Sequence, residues 1–138
     1  MNEVGVRPEF LRALEDIDAK VGTSLPPRLR EMVRLRCSHL NGCSYSIKIH
    51  SEALAALGVR PDVLSALARP VMQMRQGLAD DAERAALRFA EVLTDAPRGL
   101  EALARAEVAK HLRRSQVGEL VEVVAITNAW NRVTRGTE

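Results

Sequence analysis

Proline and glycine cut this chain into pieces the length of helices, and that punctuation constrains its fold more than any other feature. Proline suits the first position of a helix and drives the residue before it out of the helical region. Pro27 and Pro61 therefore each open a helix, and a stop falls before Pro70. Glu9 to Lys20 is periodic, with Phe10, Leu11, Leu14 and Ile17 on one side, and Val21-Gly22 ends it. Pro27 to about Leu40 carries a core stripe of Leu29, Val33, Cys37 and Leu40, with Met32 beside it. After Asn41-Gly42, a third helix runs from Cys43 to Leu57, closed by Gly58. A short fourth points Val63, Leu64 and Leu67 inward.

Asp80 and Glu83 are spaced as a capping pair for a helix to Thr94, whose Ala82, Ala86, Phe89 and Leu93 recur at helical period. Residues 72–78 fit no clear pattern, and Ala96 to Gly99 reads as a loop. Leu100 to Lys110 and Ser115 to about Val133 complete the set. The last helix is apolar on more than one face (Val117, Leu120, Val121, Val124, then Val123, Ile126, Trp130), which predicts a central element or a subunit contact. No segment alternates as a strand would. The expected architecture is all-α: a single domain over 1–138 of about six to seven helices, oligomerising through them.

Composition agrees. The 138 residues suit one domain, and aromatics at 3% disfavour sheet. The 20 basic and 18 acidic residues are interleaved, with no basic stripe for nucleic acid. The longest apolar run, Ala53 to Leu57, is too short for a membrane span. The opening MNEVGVRPEF lacks the apolar core of a secretory signal, so a cytoplasmic protein is expected, with Cys37 and Cys43 as reduced thiols.

The chemistry concentrates between Glu31 and His50. Asn41-Gly42 sets Cys43 at a helix N-terminus, where unpaired N–H groups and the helix dipole favour a thiolate over a thiol. Positions 43, 46 and 50 share one face of that helix. Cys43, Ser46 and His50 are thereby aligned, and Glu31 on the antiparallel preceding helix lies roughly level with His50. A thiol, an imidazole and a carboxylate so disposed are the parts of a thiol site with a proton relay. The same residues also suit a small buried cysteine and a core-satisfied histidine. Zinc sites use tight C-x2-C or H-x3-H pairs, which Cys37, His39, Cys43 and His50 do not form, so no metal is expected.

Glu31, Asn41, Cys43 and His50 together resemble the carboxymuconolactone decarboxylase superfamily, in its alkylhydroperoxidase D-like (AhpD-like) branch. Leu35-Arg36, Ser38, Tyr45, Glu83 to Leu87 and Asn128 to Arg132 extend the resemblance over about 25–134. It implies an all-α fold assembling as trimers or larger rings such as hexamers. It also implies thiol-dependent hydroperoxide reduction by a C-x-x-C pair, with Glu31 and His50 as proton relay, no cofactor, and a disulfide-reducing partner protein.

One position departs from the pattern: Ser46 stands where the branch has its second, peroxide-meeting cysteine. A serine hydroxyl is a poor nucleophile toward peroxide oxygen and closes no disulfide with Cys43. Three readings stay open. The chain is a disarmed Cys-to-Ser variant; or a one-cysteine member using Cys43 with an external thiol; or it has left redox chemistry and uses His50, Glu31 and Ser46 for acid–base work. The last would make it a lyase or isomerase on a small lactone or carboxylate. A non-catalytic oligomeric scaffold is the remaining alternative.

Cys37 reads as a core cysteine rather than a resolving partner for Cys43, since a disulfide needs Cα atoms within about 7 Å. Tyr45 is a candidate substrate contact or a wall residue. Trp130 reads as core or subunit contact, with Asn128, Asn131 and Arg132 as interface hydrogen-bonders. His39 reads as a surface or interface residue, His111 as part of a solvated charged corner, and Met72 and Met74 as gap-filling core.

Overall fold

The computed structural model describes residues 4–70, 78–95 and 98–138. Seven helices follow one another among them: α1 (Pro8–Asp18), α2 (Pro27–Leu40), α3 (Ser44–Ala56), α4 (Pro61–Leu67), α5 (Asp81–Thr94), α6 (Glu101–Ala109) and α7 (Arg114–Thr137). Every expected helix is present. The largest change is at the end of α7, which runs on to Thr137. Met72 and Met74 lie outside the described residues. No described helix is long and apolar enough to cross a membrane.

The hub is α2, and α7 is central too, packing against α1, α2, α5 and α6. The hub helix packs against α3, α4, α5 and α7, burying Leu29, Met32, Val33, Leu35 and Cys37 in one continuous core with residues of α3 to α7. Its would-be polar face is buried as well. Arg36, only 1% exposed, pairs with Glu91 at 2.6 Å. The same guanidinium donates to the carbonyls of Leu67 (2.9 Å) and Arg69 (2.6 Å), which α4 leaves unpaired as it ends. Its charge made α2 read as amphipathic; a fixed fork with dedicated acceptors lets it be central instead. Leu40 is only half-buried. α7 buries Leu120, Val123, Val124, Ile126, Thr127 and Asn131, but Val121 stays 41% exposed. α1 buries no residue fully: Leu11 and Leu14 are half-buried against the body, while Phe10 and Ile17 remain exposed.

The corner between α2 and α3 positions the site. The Gly42 N–H donates to the His39 carbonyl (3.1 Å) and the Cys43 N–H to the Ser38 carbonyl (3.0 Å), which is the Schellman closure of a helix. That closure needs a left-handed residue, and Gly42 supplies it at φ 62°. Cys43 is at once the residue that locks the end of α2 and the N-cap of α3. Gly22 is required differently: at φ +72° a Cβ would stand 2.6 Å from Val123 Cγ2. The foreseen capping box at Asp80 is present, with the Glu83 N–H donating to Asp80 (2.7 Å) and the Asp80 N–H to Glu83 (3.0 Å).

Candidate functional site

Two short pairs form the centre. The Cys43 thiol donates to the Ser46 hydroxyl at 3.3 Å, one turn into α3. One turn further, His50 Nδ1 lies 3.1 Å from Glu31 Oε1, across the antiparallel α2–α3 packing. With the Nδ1 proton held by Glu31, Nε2 carries the lone pair and is the nitrogen free to exchange a proton. Burial alone would raise the Glu31 pKa. The His50 hydrogen bond and charge, with Arg34 and Arg30, outweigh it and hold the carboxyl below its usual 4.5. Both arginines approach Glu31 Oε2 at 3.6 Å.

A cleft of about 280 Å³ opens over these groups. Ser46, His50, Tyr45 and Ile49 of α3 form one wall, Thr127, Trp130, Asn131 and Thr134 of α7 another; Glu15 and Asp18 of α1 close it with Arg34 of α2. Cys43 is not part of the lining. It is 0% exposed against 7% for Ser46, so Ser46 meets the cleft and Cys43 lies behind it. The four expected site residues thus come together, but in depth rather than along one accessible strip. Tyr45, 62% exposed, stands at the wall.

Sequence reasoning misassigned part of α7. Trp130 lines the cleft rather than the core. Asn128 and Asn131 are engaged within the chain: both accept from Asn41 Nδ2, at 2.8 and 3.0 Å. Asn128 Nδ2 then donates to Thr94 Oγ1 (3.0 Å) and Asn131 Nδ2 to Ser38 Oγ (3.3 Å). Arg132 donates to the Asn128 side chain at 3.0 Å. This amide cluster ties the α2–α3 corner to α7 and so fixes Cys43 and Ser46 against the cleft. The wall residues Glu15 and Asp18 were missed too; only packing of α1 across the body brings them there. His39 is half-buried, and burial with the Arg36 charge lowers its pKa. No group of three or more His, Cys, Asp or Glu among the described residues could hold a metal ion.

Cys37 faces the core and lies 3.5 Å from Thr94 Oγ1, while Cys43 turns to Ser46; both are free thiols. Burial pushes the Cys37 thiol up to about 11 from 9.0, against smaller opposing effects of Thr94 and Arg36. The unfolded thiol ionises near 9.0 and the folded one near 11, so the folded state binds more protons between those values. Stability from this group is therefore constant below pH 9 and declines toward pH 11, by up to about 3 kcal/mol. Urea melts of wild type and Cys37→Ala across pH 8 to 11 should show a steeper decline in the wild type. Parallel slopes would contradict it.

A family model described as Carboxymuconolactone decarboxylase family matches residues 8–92. The uncharacterized protein YdfG of Bacillus subtilis (strain 168) is 25% identical over 132 residues, covering 94% of this chain and 87% of YdfG. Two crystal structures share the fold. One is an Agrobacterium tumefaciens protein of unknown function, named as a candidate antioxidant defence protein AhpD. It has a TM-score of 0.84 at 20% identity and covers 99% of this chain and 93% of its own. The other is an uncharacterized peroxidase-related protein from Silicibacter sp. TM1040. It has a TM-score of 0.80 at 24% identity, with 95% and 69% covered.

Proposed function

The chain belongs to the carboxymuconolactone decarboxylase family, and from that premise we propose that it is a one-thiol relative of the hydroperoxide-reducing AhpD-type proteins. The carrying observation is the 3.3 Å contact between Cys43 Sγ and Ser46 Oγ beneath a cleft lined by His50, whose imidazole pairs with Glu31 behind it. In a two-cysteine form, a thiolate at position 46 attacks a peroxide oxygen. The O–O bond breaks, and the alkoxide leaves as an alcohol with a proton delivered through His50. Sulfur is left as a sulfenic acid. Cys43 Sγ attacks that sulfur, an S–S bond forms and water departs; a dithiol donor then reduces the disulfide.

With serine at position 46 the first step has no nucleophile at the cleft wall. Cys43 alone would have to form the sulfenic acid and then meet an external thiol, so peroxide turnover is weak or absent. Neither metal nor organic cofactor takes part. The test is Ser46→Cys, assayed with an organic hydroperoxide and a dithiol donor. If the introduced thiol forms a disulfide with Cys43 and turnover does not rise, the proposal is overturned.

One observation favours a second reading. The residue meeting the cleft is a serine beside a histidine, with Cys43 behind it. That arrangement suits acid–base chemistry on a small lactone or carboxylate with His50 as base, which product analysis on candidate lactones would detect.

An oligomer belongs to the same proposal. Ile17 and Val21 line, with Glu122, Ala125, Ile126 and Ala129 of α7, a largely apolar depression, and Phe10 and Val121 of the same two helices are also exposed. Copies meeting there would form a trimer or hexamer, and sedimentation equilibrium at micromolar concentration should give three or six times the 15.2 kDa chain mass. A monomer would remove this part.

A further inference from the structure

Among the described residues, two buried side-chain nitrogens have no hydrogen-bond partner: Trp130 Nε1 and Arg34 Nε. Both residues line the same cleft, opposite Ser46 and His50. A buried N–H without an acceptor is costly to leave so, and native proteins seldom do. A site carrying unspent donors is instead completed by a ligand that supplies the acceptor.

The charges around the cleft narrow the ligand's chemistry. The Arg34 guanidinium is already engaged, with Nη2 3.1 Å from Asp18 Oδ1 and Nε 3.6 Å from Glu31 Oε2. Glu15 and Asp18 add two carboxylates to the wall. An anionic ligand would meet these without an unpaired cation to offset them. An uncharged oxygen avoids that charge repulsion and still accepts from the unpartnered indole N–H. At about 280 Å³ the space is near the low end for ligand clefts, so the ligand is small.

We propose that Trp130 is a specificity-determining residue whose indole N–H binds an uncharged acceptor oxygen of a small substrate, such as a hydroperoxide, ketone or lactone. This rests on the cleft being the substrate site, but not on redox chemistry there. Since Trp130 is the only tryptophan, its indole gives a single ¹⁵N–¹H resonance that reports on this bond directly.

The test titrates the wild-type protein with three matched probes: cyclopentanone, cyclopentane and cyclopentanecarboxylate. Cyclopentanone should move the indole resonance downfield saturably, and cyclopentane should not. The ketone should bind at least about 3-fold more tightly than the carboxylate. Trp130→Phe keeps an aromatic ring and removes the N–H, so ketone affinity relative to cyclopentane should fall roughly 3- to 10-fold. An unmoved indole resonance, an equal relative ketone affinity in the variant, or a carboxylate that binds as tightly would each overturn the assignment. A Ser46→Cys protein that fails to reduce hydroperoxides, with the indole response intact, overturns the peroxide proposal and not this one.

Discussion

Ser46→Cys should raise hydroperoxide reduction with a dithiol donor by about 100-fold or more over the wild type. Supplying a missing nucleophile to an otherwise assembled site is among the largest single-residue effects in catalysis. The surroundings already suit it. Position 46 lies on the cleft wall, His50 is one turn away, and Cys43 Sγ lies 3.3 Å from the present hydroxyl. A disulfide between the two positions needs only that gap to close to about 2.05 Å, which small side-chain rotations at i and i+3 allow. Adding Cys43→Ser to this variant separates the steps: without the dithiol donor, peroxide should be consumed once per chain, after which turnover stops because no neighbouring thiol resolves the sulfenic acid. Mass spectrometry should find a disulfide joining Cys43 to the introduced thiol in Ser46→Cys. It should find none in the wild type, where Cys37 is held toward Thr94 on the other side of α2. If the disulfide forms and turnover stays at the wild-type level, the site is not a disarmed peroxidase and the acid–base reading takes precedence.

The helices were legible because their ends carry local chemistry. Pro27, Pro61, the Asp80–Glu83 box and Asn41-Gly42 each act over a few residues, so the sequence states them directly. The closeness of Glu31 and His50 was legible for a related reason: a tight corner between antiparallel helices makes level positions predictable from spacing. Burial was less so. Arg36 and Ser38 look solvent-facing in sequence and are buried, because their partners, Glu91, the α4 carbonyls and Asn131, come from distant segments. The same limit hid the cleft. Trp130, Asn131, Glu15 and Asp18 reach Ser46 only through the packing of α1 and α7, and no motif marks them. Helix period put Cys43 and Ser46 together, yet which of them meets the cleft depends on the wall opposite.

In the Ser46→Cys protein, His50→Gln should lower turnover by roughly 10²- to 10³-fold, within the range a positioned acid–base group supplies. The imidazole gives the departing alkoxide its proton and takes it back from the incoming thiol; glutamine does neither. Glu31→Gln should cost less, about 10-fold. It leaves the imidazole in place but replaces the carboxylate that holds the Nδ1 proton and orients the ring. The double variant decides whether the two act as one unit. Glu31 works through His50, so in its absence the second change should add little, and the pair should fall well short of the product of the single effects. A multiplicative result would mean that Glu31 contributes separately, through Arg30 and Arg34, which both lie 3.6 Å from its other oxygen. Full activity in His50→Gln would remove the relay, because among the described residues no other titratable nitrogen lies within hydrogen-bond reach of Glu31 Oε1.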